Sequence, residues 1–444
     1  MGKFAESPAF NYRPQVIRLL GYLRACLKKG RSPEKTAAWE HTFPGLTFDD
    51  ARFHLTVSLL LGVAEQYLLV RNYRNNPRKA ALTLAAEYRA LGLTRHVEKQ
   101  WRTLDAAQES EPHQNVDYFH HAFLIEQERY NFLAGQQRMA ELNLQAISDH
   151  LDVYYLAQKL RQVCFALAHQ TVAGARYDHG LLPEVLQALE LGKFADVPAV
   201  SVYYHCYRAL TEPQDEQRFR TFKALLLAHS VAFPASERRD LLLLATNYCI
   251  RRFNEGEPLY AREALDLYRA GLHDDTLLLN GLLSRFTYRN IVSMALIGKE
   301  LDWSEQFIYA YRIRLEDKHR DAAFAFNLAR LEYARGRYDR ALPLLQNAEY
   351  SDLLLNLSAK TIALKIFFET GQYDLLDAHL DALRNFLRRH RELGYHREHY
   401  RNLLRFLQKI LKTGPADRPA RAAIAAEIRQ TKVVAEREWL LGLV

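Results

Sequence analysis

The residues best placed to do chemistry in this 444-residue chain are cations. Arg397, Arg401, Arg405 and Lys409 recur every four residues, so on an α-helix they line one side over roughly 18 Å. Arg384, Arg388 and Arg391 add charge just upstream, while Tyr400, Leu403, Leu404, Leu407 and Ile410 fall on the opposite side, suited to packing. Such a ladder either holds phosphates or an acidic peptide, or is the solvated outer face of a helix. Tyr395 and Tyr400 are too few to form a base-stacking platform. Glu392, His396 and His399 have an i, i+4, i+7 spacing that would suit a metal, but Gly394 interrupts the helix this would need and no fourth ligand is evident. They read as polar residues beside a turn. His120 and His121 are adjacent, point to different helix faces and do not chelate together.

Signatures of catalysis are missing. Gly192-Lys193 and Gly298-Lys299 lack the upstream glycine of a phosphate loop, and no GxGxxG, HExxH or GxSxG occurs. The four cysteines (Cys26, Cys164, Cys206, Cys249) form no CxxC pair and read as buried thiols in a reducing compartment. Neither a metal nor a cofactor is expected, and an enzymatic role is not favoured.

The elements that must position the cations are helices. Pro14 opens one that runs to Gly30, with Val16, Leu20, Leu23 and Leu27 on its apolar face. Ser32-Pro33 caps a short second helix, Thr47 caps a long apolar one, Asn76-Pro77 starts the next and Thr94 caps another. Residues 115–135 are helical in period, 137–172 read as two helices meeting near Ser148-Asp149, and Pro183, Pro198 and Pro213 mark shorter ones. No segment shows the sustained alternation of a sheet. After TGPADRP (413–419), one last helix is expected at about 420–442.

Composition agrees with this. Apolar residues make up 49% of the chain, enough for a core, and Gly (19) and Pro (14) are too few for a loop-dominated fold. The longest apolar run, 55–64, is shorter than the roughly 20 residues that span a bilayer. Residues 16–27 are interrupted by Arg18 and Arg24 and read as an amphipathic helix, not a signal core, so a cytoplasmic location is expected. The net charge of +8 is uneven: residues 1–31 carry seven Lys/Arg against one Glu, and 384–412 carry nine against two. Basic segments of this kind attract nucleic acid, acidic proteins or anionic lipid.

Self-similarity appears after residue 285. GRYDRALPLL (336–345) and GQYDLLDAHL (371–380) both read Gly-x-Tyr-Asp, with the glycines 35 residues apart. A glycine in a left-handed turn closes one helix, an aromatic packs the corner and a small residue lets the next helix approach. This pattern resembles the tetratricopeptide repeat: Gly336 and Tyr338 precede Ala341 and Leu345, and Gly371 and Tyr373 precede Leu376 and Leu380. Leu376 stands where a small residue is usual, which implies a wider hairpin. Trp303, Phe307 and Tyr311 fall in register one unit earlier, and Ala264 within YAREALDLY one unit before that, after an insertion. Phrases such as NYCIRRFNEG (247–256) and YRNIV (288–292) also resemble bacterial helical proteins.

The resemblance implies an all-α fold, an α-solenoid of antiparallel helical hairpins stacked in a right-handed superhelix of roughly 18–20 helices. It divides the chain into irregular hairpins at 1–234, repeats at 235–412 (clearest at 285–390) and a linker with a helix at 413–444. In such stacks the first helix of each hairpin lines the concave side. That places Arg289, Asn327, Arg330 and Lys365 at or near a groove able to meet an acidic or C-terminal peptide. The Lys/Asn clamp of chaperone-binding members is not reproduced, which argues against chaperone tails. The expected function is a non-catalytic intracellular scaffold or adaptor that binds a protein or peptide. The alternatives are a nucleic-acid-associated repeat protein using 384–412 and an enzyme with an unrecognised helical site.

Overall fold

A computed structural model describes residues 1–136, 142–346, 352–394, 396–414 and 416–444. Helix accounts for 77% of the chain, so the class is all-α. Among the described residues there are 22 α-helices and one short hairpin. In order the helices are α1 (Gly2–Ala5), α2 (Pro14–Lys28), α3 (Lys35–Thr42), α4 (Asp50–Asn75), α5 (Pro77–Ala90), α6 (Thr94–Glu109), α7 (Val116–Gln136) and α8 (Leu144–Ala173). There follow α9 (Leu182–Glu190), α10 (Pro198–Thr211), α11 (Glu216–Ala228), α12 (Ala235–Asn254), α13 (Leu259–His273), α14 (Arg285–Ile297) and α15 (Leu301–Tyr311). The last are α16 (Asp317–Ala334), α17 (Tyr338–Gln346), α18 (Leu353–Glu369), α19 (Tyr373–Arg389), α20 (His396–Lys412), α21 (Arg418–Gln430) and α22 (Arg437–Gly442).

Several boundaries differ from the sequence expectations. The N-cap of α4 is Asp49, whose carboxylate accepts from the Arg52 N–H, not Thr47. Glu34, not Ser32, precedes α3. α8 is one helix where two were expected. The last expected helix is two, because the chain turns through Glu436 in a left-handed conformation (φ 52°) between α21 and α22. Strands β1 (Leu278–Leu279) and β2 (Leu282–Leu283) were not anticipated. They are joined by Asn280-Gly281, both at positive φ, the residue pair that a two-residue hairpin favours.

The chain divides into two compact units. The first comprises 1–163, 178–203 and 231–233. In it Val16, Leu19, Trp39, Phe53, Leu60 and Val63 bring α2, α3 and α4 together around one cluster. Leu27, expected on the buried face of α2, lies past the end of that cluster and is 82% exposed. A smaller cluster of Ala81, Leu104 and Ile125 joins α5, α6 and α7, tied by ion pairs Arg78–Glu111 and Arg89–Glu128.

The second unit comprises 164–177, 204–230 and 234–444. From α12 onward each helix packs on the next, and α14 and α18 also both pack on α16. This neighbour-to-neighbour packing is compatible with a helical repeat. A shared turn strengthens it. The N–H of Glu257, Glu300, Arg337 and Gln372 bonds back to the carbonyl five residues earlier, each time across a residue at positive φ: Gly256, Lys299, Gly336 and Gly371.

These turns set a register. Five residues beyond the left-handed position stand Ala261, Ser304, Ala341 and Leu376, and nine beyond stand Leu265, Ile308, Leu345 and Leu380; all eight are buried. Seven residues before it stand Cys249, Val292, Ala329 and Leu364, all fully buried. Ser304 and Ala261 therefore take the place of Ala341, where the sequence alone had aligned Phe307 and Ala264.

The core makes acid sensitivity predictable. The His379 ring on α19 donates from Nε2 to the Lys360 carbonyl at 2.7 Å, and burial pushes its pKa below the usual 6.5. Burial does the same to His205. A base with a lowered folded pKa stays neutral while the unfolded chain takes up a proton, so stability is full above pH 6.5 and falls as pH drops through that value. Urea unfolding at pH 7 and pH 5 is expected to show this loss, with His379→Gln flattening it; an unchanged slope in that variant would remove His379 as a cause.

Candidate functional site

Helix α14 opens at Ser284, whose hydroxyl caps the Phe286 N–H, and α18 opens at Asp352, whose carboxylate accepts from the Leu354 and Leu355 N–H groups. These two starts and the first half of α16 frame a small, shallow recess that opens to solvent. Phe286, Ala322, Ala323 and Leu355 give it an apolar floor, and Arg285, Arg289, His319, Asn327 and Asp352 give it polar groups.

The cations of the recess differ in their partners. Arg285 donates to the His319 ring at 2.6–2.9 Å and reaches Asp352 at 3.4 Å. Burial and the Arg285 charge lower the His319 pKa, so the ring accepts as a neutral base. The guanidinium of Arg289 has no ion pair or hydrogen-bond acceptor among the described residues. Arg330 is half-buried on α16 and makes two long hydrogen bonds of 3.5 Å, to the Arg289 carbonyl and the Asn327 side chain. It has no ion pair among the described residues. Burial, with Arg289 beside it, pulls its pKa down to about 10, and Glu436 acts weakly the other way. Two neighbouring guanidiniums without a carboxylate are costly to hold and ready to receive one.

Lys365 on α18 is by contrast fully engaged. It pairs with Glu436 at 2.9 Å and lies over the Tyr333 and Trp439 rings. Glu369, one turn on, accepts from Tyr333, Tyr338 and the Trp439 indole at 2.6–2.8 Å, which pushes the Tyr338 phenol up to about 12. The segment 434–444 therefore covers the Lys365 end of the face. This contact spans about seventy residues of sequence, and no local pattern announces it.

The basic ladder has the spacing expected, but part of it is neutralised. Arg405 and Lys409 meet Glu427 of α21 at 3.7 and 2.5 Å, Arg384 pairs with Asp381, and Arg388 bonds Asn385. Arg397 and Arg401 have no ion pair among the described residues. Only the backbone of Arg391 is described, and Tyr395 lies outside the described residues. Gly394, at φ 55°, does stop the helix as expected, and Glu392 pairs with His390. Among the described residues no disulfide joins the four cysteines, three of which are buried, and burial raises the Cys206 and Cys249 thiols.

Compared with protein-family models, with curated proteins and with solved structures, the chain matches none.

Proposed function

We propose that the protein is a non-catalytic scaffold or adaptor, built as a tetratricopeptide-like stack of antiparallel helical hairpins, which binds a carboxylate-bearing segment of another protein. The stack reading is supported by the four turns in one register and by the packing of α14 and α18 on α16. By that register Arg330 and Lys365 occupy equivalent positions in successive units, on the helices that would line the concave side. The observation that carries the binding reading is the pair Arg289 and Arg330, neither ion-paired among the described residues: Arg289 lines an open recess with an apolar floor, and Arg330 lies behind it, bonded to its carbonyl. The reading is supported by Glu436, which already sets a carboxylate of the chain's own against Lys365 on this face. A cytoplasmic location fits four cysteines with no disulfide among the described residues.

The test is capture from host extract with the tagged protein and its Arg289→Glu variant in parallel. A partner retained by the wild type and lost by the variant is expected, since an introduced like charge at a desolvated contact costs about 2–5 kcal/mol, or well over tenfold in affinity. A partner retained equally by Arg289→Glu and lost by Arg401→Glu would move the site to the ladder.

A further inference from the structure

The first unit carries a second surface, independent of the recess. α4 is long and apolar enough to cross a membrane by length and composition, yet only 22% of that stretch is buried, whereas the core helix of a soluble protein is mostly buried. Phe53, Thr56, Leu60 and Val63 turn inward onto α2 and α3. Leu55, Leu61, Leu68 and Leu69 turn outward, each more than half exposed. Between Arg52 and Arg71 the one charged side chain is Glu65. Large exposed apolar patches on a helix mark an interaction.

Charge identifies the occupant. The seven lysines and arginines of residues 1–31, on or flanking the two helices α1 and α2 that share this core, make no ion pair among the described residues. The same holds for Arg71 and Arg74, at the end of the apolar stretch. Two copies of a module this basic repel each other. Nucleic acid satisfies the cations but leaves the leucines in water. An anionic lipid surface satisfies both: headgroups take the cations and the acyl boundary takes the leucines, while long basic side chains at the helix end reach back to the headgroups.

We propose that the module formed by residues 1–75 docks the protein peripherally on an anionic membrane surface, with α4 lying against the lipid and not crossing it. The inward residues of α4 stay in the core of the module, so docking requires no unfolding.

The experiment is co-sedimentation of the purified full chain with vesicles of phosphatidylcholine, alone or with phosphatidylglycerol. Two variants accompany it: Leu68→Glu with Leu69→Glu, and Lys28→Glu with Lys29→Glu. All four sites are exposed, and circular dichroism verifies folding. Binding to the anionic vesicles is expected, weakened by salt and reduced at least about tenfold in either variant. No binding to anionic vesicles at low salt overturns the proposal. So does binding that the leucine variant leaves unchanged, and so does a dimer in light scattering that the leucine variant dissolves without any vesicle binding. Partner capture through Arg289 is unaffected by these variants, so each claim can fail alone.

Discussion

Leu440→Ala is expected to lower the stability of the second unit by about 2–5 kcal/mol, read as an earlier midpoint in urea or thermal unfolding. A six-residue helix does not persist alone in water, so the order of α22 must come from what it packs on. Leu440 has no exposed surface and belongs to one core with Phe406, Leu407 and Ile428. The Arg437 guanidinium donates to the carbonyls of Ile428, Arg429, Thr431 and Lys432 at 2.6–3.1 Å, fixing the turn out of α21. Glu436 holds a left-handed conformation that a non-glycine residue adopts only under constraint, and its ion pair with Lys365 supplies one. A loss under about 0.5 kcal/mol, the size of an ordinary surface substitution, would mean that this segment is not seated on the unit.

Arg330→Met is expected to leave the unfolding midpoint unchanged or raise it, and to weaken partner binding at least about tenfold. A buried charge replaced by an apolar group of similar volume is often neutral or stabilising. The sign follows from the pKa: a base held at about 10 when folded, below its unfolded value, costs stability throughout the neutral range. That cost is relieved only as pH rises above about 10. A residue that costs stability and lacks a carboxylate is explained if it meets one on a partner, which is the usual trade between stability and function. A midpoint lowered like that of an ordinary core truncation, with binding intact, would make Arg330 a packing residue.

Much of the fold was legible because helix signals are local. Gly336 and Gly371 stand where a left-handed turn needs glycine, and a Tyr two residues on marks the corner, so two turns could be placed from sequence. The two earlier turns share the geometry but not the Gly-x-Tyr pattern: Pro258 follows Gly256 where a tyrosine would stand, Lys299 takes the left-handed position that Gly336 takes, and the spacing before Lys299 is longer. Sequence alignment therefore slid to Phe307, which stacks between Trp303 and Tyr311 but is not the small residue at the hairpin contact. Leu27 was misjudged because periodicity tells which side of a helix is apolar and not where the core ends.

The candidate site was legible in its residue types only. The sequence points to Arg289, Asn327, Arg330 and Lys365 together, and the structure sets Arg289 and Asn327 in one recess with Arg330 bonded to both. That Lys365 is satisfied and Arg289 is not depends on Glu436, far along the chain. The ladder on α20 looked better from its spacing than it is, because Glu427 on the next helix neutralises its far end.

The central claim is that a partner protein lies against the recess on α14, α16 and α18. A photo-crosslinking amino acid at position 286, whose native Phe286 is half-exposed at the recess, tests it directly when compared with the same group at position 401 on the ladder. The account predicts a protein adduct from position 286 that Arg289→Glu abolishes, and none from position 401. Adducts from position 401 alone would contradict it.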